Sequence, residues 1–186
     1  MLERALLDAA LEQLSTVGWK GLTMEGVVAG AQTGKAAVYR RWPSKEDLVC
    51  GCPGVRAASG EGAPDLGGVR EDLLALCRQV RQIMYSRPGV ALRSVIHECD
   101  HMQVERFEGV IFGSVVEPTV KLLREVIERG IERGEVRSDA ANGYVFDVIP
   151  AMMMYRAKMC ASEWNDQDLV GMIDRLMLPL LRPYGT

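Results

Sequence analysis

Wherever apolar residues cluster in this chain they recur at helical spacing, and no stretch alternates apolar with polar residues long enough to read as a strand. Leu7, Leu11, Leu14 and Val17 predict a first helix over about 2–17, which Gly18 ends. Thr23 is placed to cap a short helix over 24–30 by accepting from its free amides. A third short helix fits 35–41 and is closed by Trp42-Pro43. Ser44 caps a fourth, with Glu46 and Asp47 in a first turn where the helix dipole favours acids. Between Pro53 and Gly68, seven of sixteen residues are Gly or Pro, so a loop and a domain boundary fall there.

The pattern resumes beyond the loop. Val69, Leu73, Leu76, Val80 and Ile83 form one stripe, and a shorter helix runs from Val90 to Cys99 after Pro88. A long helix over roughly 104–133, bent near Pro118, turns Leu122, Val126 and Ile127 inward and closes at Gly134. Ser138 or Asp139 caps the next, which is apolar almost all round from Tyr144 to Met159. Asn165 caps the last, with Leu169, Met172, Ile173, Leu176 and Leu180 on one face. The expected fold is all-α, with about nine helices.

Composition narrows the function classes. Of 186 residues, 48% are apolar and 25% charged, the balance of a chain that buries a core rather than one that stays disordered. No charge-free run exceeds the nine residues from Gly26 to Gly34, so no membrane span is expected. Glu3, Arg4, Asp8 and Glu12 argue against a signal peptide, and the five cysteines then read as reduced thiols of a cytoplasmic protein. The net charge of −3 is unevenly spread: residues 1–45 hold six Lys or Arg against four Asp or Glu. Within 31–45 stand Lys35, Arg40, Arg41 and Lys45 with no acid. Such a run alone is an ordinary solvated surface. Its setting gives it meaning, because two short helices joined by a tight turn and followed by cations are what a helix-turn-helix requires. Gly34, Lys35, Ala36 and Ala37 make the start of the second helix narrow enough for a major groove. Tyr39, Arg40, Arg41 and Lys45 lie where that helix leaves the groove and phosphates are met.

These residues resemble the tetracycline-repressor (TetR) family of bacterial transcriptional regulators. The stretches Thr23-Met24-Glu25-Gly26-Val27-Val28 and Gly34-Lys35-Ala36-Ala37-Val38-Tyr39-Arg40-Arg41-Trp42-Pro43-Ser44-Lys45 are similar to its helix-turn-helix and the start of its fourth helix. The resemblance implies a DNA-binding domain over 1–50, a connector over 51–68 and a ligand-binding and dimerisation domain over 69–186. It makes Tyr39, Arg41 and Lys45 phosphate contacts and Lys35, Ala36 and Ala37 base-facing. Thr33, Gly34, Arg40 and Trp42 belong to the same surface, and Thr23 offers its amide and hydroxyl to a phosphate besides capping. Val27 and Val38 become core. Two positions depart from the pattern. Gln32-Thr33 stands where the family has a turn Gly and Val, and a left-handed turn at Gln32 costs roughly 1–2 kcal/mol relative to glycine. Ala37 replaces a Thr, removing a hydroxyl able to reach a base. Direct readout is thus left to Lys35 on guanine and alanine methyls on thymine.

The expected partners are double-stranded operator DNA, a small apolar effector, and a second copy of the chain paired through the last two helices. A helix apolar on all faces must be covered on both sides. Phe107, Phe112, Met153 and Tyr155 have the composition of an adaptable cavity, with His97, His101 and Asp147 as polar candidates for orienting a ligand. No cofactor and no metal are expected. His97-Glu98-Cys99-Asp100-His101 has the i, i+4 spacing of metal-binding histidines but lacks a second cluster to complete a site. Cys50-Gly51-Cys52 likewise has no partner pair. No nucleophile elbow, phosphate loop or paired carboxylates support catalysis. Two alternatives stand beside the regulator: a small-molecule-binding or enzymatic bundle whose basic run is only surface, and a thiol or metal sensor using Cys50, Cys52, His97 and His101.

Overall fold

The computed structural model describes residues 2–51, 62–98, 113, 116–159 and 163–183, and among these every regular element is helical. The chain forms two compact units, one of residues 1–58 and 83–115, the other of 59–82 and 116–186.

In the first unit α1 (Leu2–Gly21) packs against α2 (Met24–Gly30), α4 (Lys45–Cys50) and, most extensively, α6 (Arg87–Glu98). Leu6, Leu7, Ala10, Leu11 and Leu14 form the buried face of α1, while Val17 is turned outward. The sequence places the end of α1 at Gly18. Gly18 is indeed non-helical, at φ 73° and ψ −176°, and one further turn follows it to Gly21. The positive φ favours glycine here, and a Cβ would lie 2.3 Å from the Glu98 Oε1 and displace that carboxylate. The kink frees two amides, and α6 receives them: Trp19 N donates to Ser94 Oγ at 2.8 Å and Lys20 N to Glu98 Oε2 at 2.8 Å.

In the second unit α5 (Val69–Met84) buries Val69, Leu73, Leu76 and Val80 as the stripe predicts. Bidentate contacts tie α5 to α9 (Asp166–Met172) and to the turn that follows it, from Arg78 to Asp166 and from Arg70 to Asp174 at 2.7 and 2.9 Å. Fully buried Asp72 accepts from Arg133 at 3.0 Å and from the Leu66 amide at 2.5 Å, so its charge is paired. α7 (Glu117–Glu132) has Pro118 in its first turn and buries Leu123, Val126 and Ile127, so Leu123 takes the inward place expected of Leu122. Its end is the expected glycine turn: Gly134 at φ 74°, with the Glu135 amide reaching back to the Gly130 carbonyl at 2.9 Å.

α8 (Gly143–Met159) is capped by Asn142, whose Oδ1 accepts from the Val145 amide at 3.2 Å. Ser138 and Asp139, expected as its cap, lie instead in a separate 3-10 turn, Ser138–Ala140. α9 begins with the expected Asn165 cap, here a full capping box with Asp168. It then passes through a π-type turn, Ile173–Met177, into α10 (Leu178–Leu181). That turn adds a residue to the helical repeat. The buried series is therefore Leu169, Met172, Ile173, Met177 and Leu181, and Leu176 and Leu180, expected on the inner face, are rotated off it. Pro179 is the physical cause we assign, since it has no amide to offer the carbonyl of Arg175.

Candidate nucleic-acid interface

The motif's frame is built from α2 and α3 (Lys35–Tyr39). Val27 and Val38 are both fully buried between them, as expected of its core. The Thr23 hydroxyl accepts from the Gly26 amide at 3.1 Å and caps α2. The Thr23 amide, expected to be available to a phosphate, donates to Gln13 Oε1 at 3.3 Å instead. α2 ends with Gln32 at φ 51° and the Thr33 amide reaching the Val28 carbonyl at 3.2 Å, a left-handed helix stop made without glycine. α3 is shorter than the expected 35–41, because Arg40 already serves as its C-cap.

Lys35, Ala36, Tyr39, Arg40 and Arg41 are exposed, Thr33 and Ala37 are half-buried, and around Gly34 an added Cβ would meet nothing within 4 Å. The structure brings these residues to one surface, and a groove of about 410 Å³ opens beside it, lined in part by Glu3, Ala37, Arg40 and Arg41. Two expected members stand apart from the rest. Trp42 is 8% exposed and belongs to the core with Leu48 and Val49, so it supports the surface rather than forming it. Lys45 is turned inward: its ammonium donates to the carbonyls of Trp19 at 2.9 Å and Leu22 at 3.4 Å and lies 4.1 Å from the centre of the Trp19 ring. The resemblance gave Trp42 to the outer surface, and the resemblance together with its place after α3 gave Lys45. The Trp42 indole is instead taken into the core, and the Lys45 ammonium is drawn to the Trp19 ring and the carbonyls at the end of α1.

Two of the exposed cations, Lys35 and Arg41, are paired with acids. Lys35 Nζ pairs with Glu25 Oε1 at 2.9 Å, and the same carboxylate accepts from the Tyr39 hydroxyl at 3.1 Å. Arg41 pairs with Glu3 at 2.8 Å. Hydrogen bonding by Lys35 holds the Glu25 carboxyl below its ordinary value, and the same bond raises Lys35. Desolvation, then the Glu25 contact, raises Tyr39. Neither acid is signalled by the sequence, because their partners lie in other helices at no fixed spacing. The same holds for Gln13, Ser94 and Glu98.

Of the apolar and aromatic residues expected to line an effector cavity, Met153 and Tyr155 are the two whose side chains are described, and they face different ways. Met153 is 1% exposed in the second unit's core, where its carbonyl accepts from the Trp164 indole at 3.4 Å. Tyr155 points to the opposite, outer side of α8 and is 58% exposed. Two residues apart on a helix are about 200° apart, so one cavity cannot use both. His101, Phe107 and Phe112 lie outside the described residues, as do the side chains of His97 and Cys50 and all of Cys52. Among the described residues no three His, Cys, Asp or Glu side chains are grouped to hold a metal. Burial pushes the Cys77 thiol up to about 12, which leaves it unreactive.

Comparison with known proteins agrees with this architecture. Residues 6–50 match the model of bacterial regulatory proteins of the tetR family, and residues 63–176 match the tetracyclin repressor-like C-terminal domain. An HTH-type transcriptional regulator of Mycobacterium tuberculosis is 29% identical over 185 residues, covering 96% of this chain and 87% of the relative. A DNA-binding transcriptional repressor TetR of Mycobacteroides abscessus is 28% identical over 180 residues, covering 96% and 93%. Among solved structures, a TetR transcriptional regulator from Agrobacterium tumefaciens superposes with a TM-score of 0.71 at 16% identity, covering 98% and 95% of the two chains. With both models of one family lying in order along an all-helical chain, this protein belongs to the TetR family of helix-turn-helix transcriptional regulators.

Proposed function

We propose that the chain is a dimeric repressor that sits on a pseudo-palindromic operator and is released by a small apolar effector. One observation carries the DNA reading: Lys35, Arg40 and Arg41 stand exposed at one end of a two-helix frame whose interior is fixed by Val27 and Val38. Phosphate contacts by Arg40, Arg41 and Tyr39 set the register, and Lys35 reads a base edge. Nothing in the site calls for catalysis, so the chain is read as a binding protein acting in the cytoplasm. No helix among the described residues is long and apolar enough to cross a membrane. Effector contact is assigned to the stretch holding His97, His101, Phe107 and Phe112, in which two aromatics stand near two polar anchors. Effector and operator must then weaken each other by the same factor.

The test is a salt titration of DNA affinity. Three outward cations per chain give six per dimer, and Lys45 is withdrawn from that number by its internal contacts. If half to all of the six meet phosphates, log K falls against log salt with a slope of roughly −3 to −5. A flat response rejects the reading.

A further inference from the structure

We infer that Glu25 is an internal stand-in for the DNA acceptor atoms, a base edge at Lys35 and a phosphate at Tyr39, and so a positioning residue that occupies both side chains in the free protein and tempers their affinity for DNA. The inference rests on the DNA reading given above. Its basis is a single carboxylate oxygen, Oε1, that accepts from the Lys35 ammonium at 2.9 Å and from the Tyr39 hydroxyl at 3.1 Å. Lys35 and Tyr39 are four residues apart on α3, so they share a face, and Glu25 reaches them from the first turn of α2. An anionic oxygen taking bonds from an ammonium and a phenol offers these two donors what the acceptor atoms of DNA, a guanine edge and a phosphate oxygen, offer on the same face.

The contact is placed where the fold gains little from it. The Lys35 and Glu25 side chains are 61% and 58% exposed, and exposed pairs contribute little to stability. The frame beneath is held by Val27, Val38 and the Thr23 cap, which do not depend on the carboxylate. DNA must therefore exchange places with Glu25, and the displaced carboxylate is left facing a polyanion. Both effects lower affinity for any sequence, and both weaken as salt screens them.

The experiment measures anisotropy of a fluorescent duplex of arbitrary sequence with the full chain, as wild type, Glu25→Gln and Glu25→Ala, across a salt series. Both variants should bind roughly 3–10-fold tighter at low salt, with a steeper salt slope and an unchanged melting temperature. Loss of any acid near DNA brings some gain, so the pair is repeated in a Lys35→Met/Tyr39→Phe background. There the gain from Glu25→Gln should largely disappear. Equal or weaker binding by both variants overturns the inference, because Glu25 then supports a DNA-ready arrangement. A gain that persists undiminished in the double background also overturns it, because the effect is then general charge. No salt-dependent binding by the wild type overturns the DNA reading, and this inference with it.

Discussion

Gln32 occupies left-handed space at φ 51°, the single non-glycine residue to do so among the described residues. The cost comes from its Cβ meeting the following carbonyl, roughly 1–2 kcal/mol. It persists because the turn is fixed on both sides: the Gln32 amide bonds the Ala29 carbonyl at 3.1 Å and the Thr33 amide bonds that of Val28 at 3.2 Å. Val27 and Val38 then hold the two helices in place. Replacing Gln32 by glycine relieves the strain but loosens the unfolded chain, so the net gain is smaller than the strain itself. Gln32→Gly should raise unfolding stability by about 0.5–1 kcal/mol in urea titrations, with the m-value unchanged. A loss of stability would show that the glutamine side chain makes a compensating contact. The strain was foreseeable from the residue type; that the turn keeps its left-handed form was not, because only the surrounding packing decides between strain and a different turn.

At the scale of elements, the kink in α1 is joined to α6 and α4 through neighbouring peptides, and the Trp19–Lys20 peptide serves both. Amides of Trp19 and Lys20 go to Ser94 and Glu98, and carbonyls of Trp19 and Leu22 go to Lys45. Ser94 Oγ also donates to Glu98 Oε1 at 2.9 Å, which orients the carboxylate. The Lys20 amide, and after it the Ser94 hydroxyl, hold the Glu98 carboxyl below its ordinary value. A lowered carboxyl pKa contributes stability that is fully present above the unfolded value and is lost as pH falls through the folded one. Acidification from neutral pH through the carboxylate range should therefore destabilise the wild type more than Glu98→Gln, and the two stability curves should converge at the acid end. Parallel curves from urea unfolding would reject the link. Helix existence, the Thr23, Ser44 and Asn165 caps, and the Gly18 and Gly134 stops were all legible, because each is decided within one turn of chain. What was misplaced depended on events beyond the local turn. The π-type turn at Ile173–Met177 moves the buried series from Leu176 and Leu180 to Met177 and Leu181. Trp42 and Lys45 turn inward because partners distant in sequence receive them, and Glu25 was invisible as a site residue because its partners lie across a loop.

For the whole molecule the open question is how two copies meet, and α8 carries the strongest indication. Its inner face buries Val145, Phe146, Ile149 and Met153, while Tyr144 at 90%, Tyr155 at 58% and Met159 at 67% remain exposed on the other side. Tyr144, Ala151, Tyr155 and Met159 follow i, i+7, i+11 and i+15, one outward apolar stripe with Asp147 at its edge. Leu180, rotated outward by the π-type turn, adds a further exposed apolar group on α10. On the dimeric reading proposed above, this exposed apolar stripe is the surface through which two copies pair. In a two-fold dimer each residue of the patch is used twice, so one buried charge is paid for twice over. Tyr155→Glu should weaken self-association at least about 100-fold, roughly 3 kcal/mol, while helix content by circular dichroism stays unchanged because the side chain lies on the exposed face of α8. Sedimentation should then show monomers where the wild type shows dimers. The same variant should lose about half the salt slope on a duplex carrying two half-sites, because each monomer engages only its own phosphates. A variant that remains dimeric places the interface elsewhere than the outer face of α8, and a monomeric wild type rejects the paired arrangement altogether.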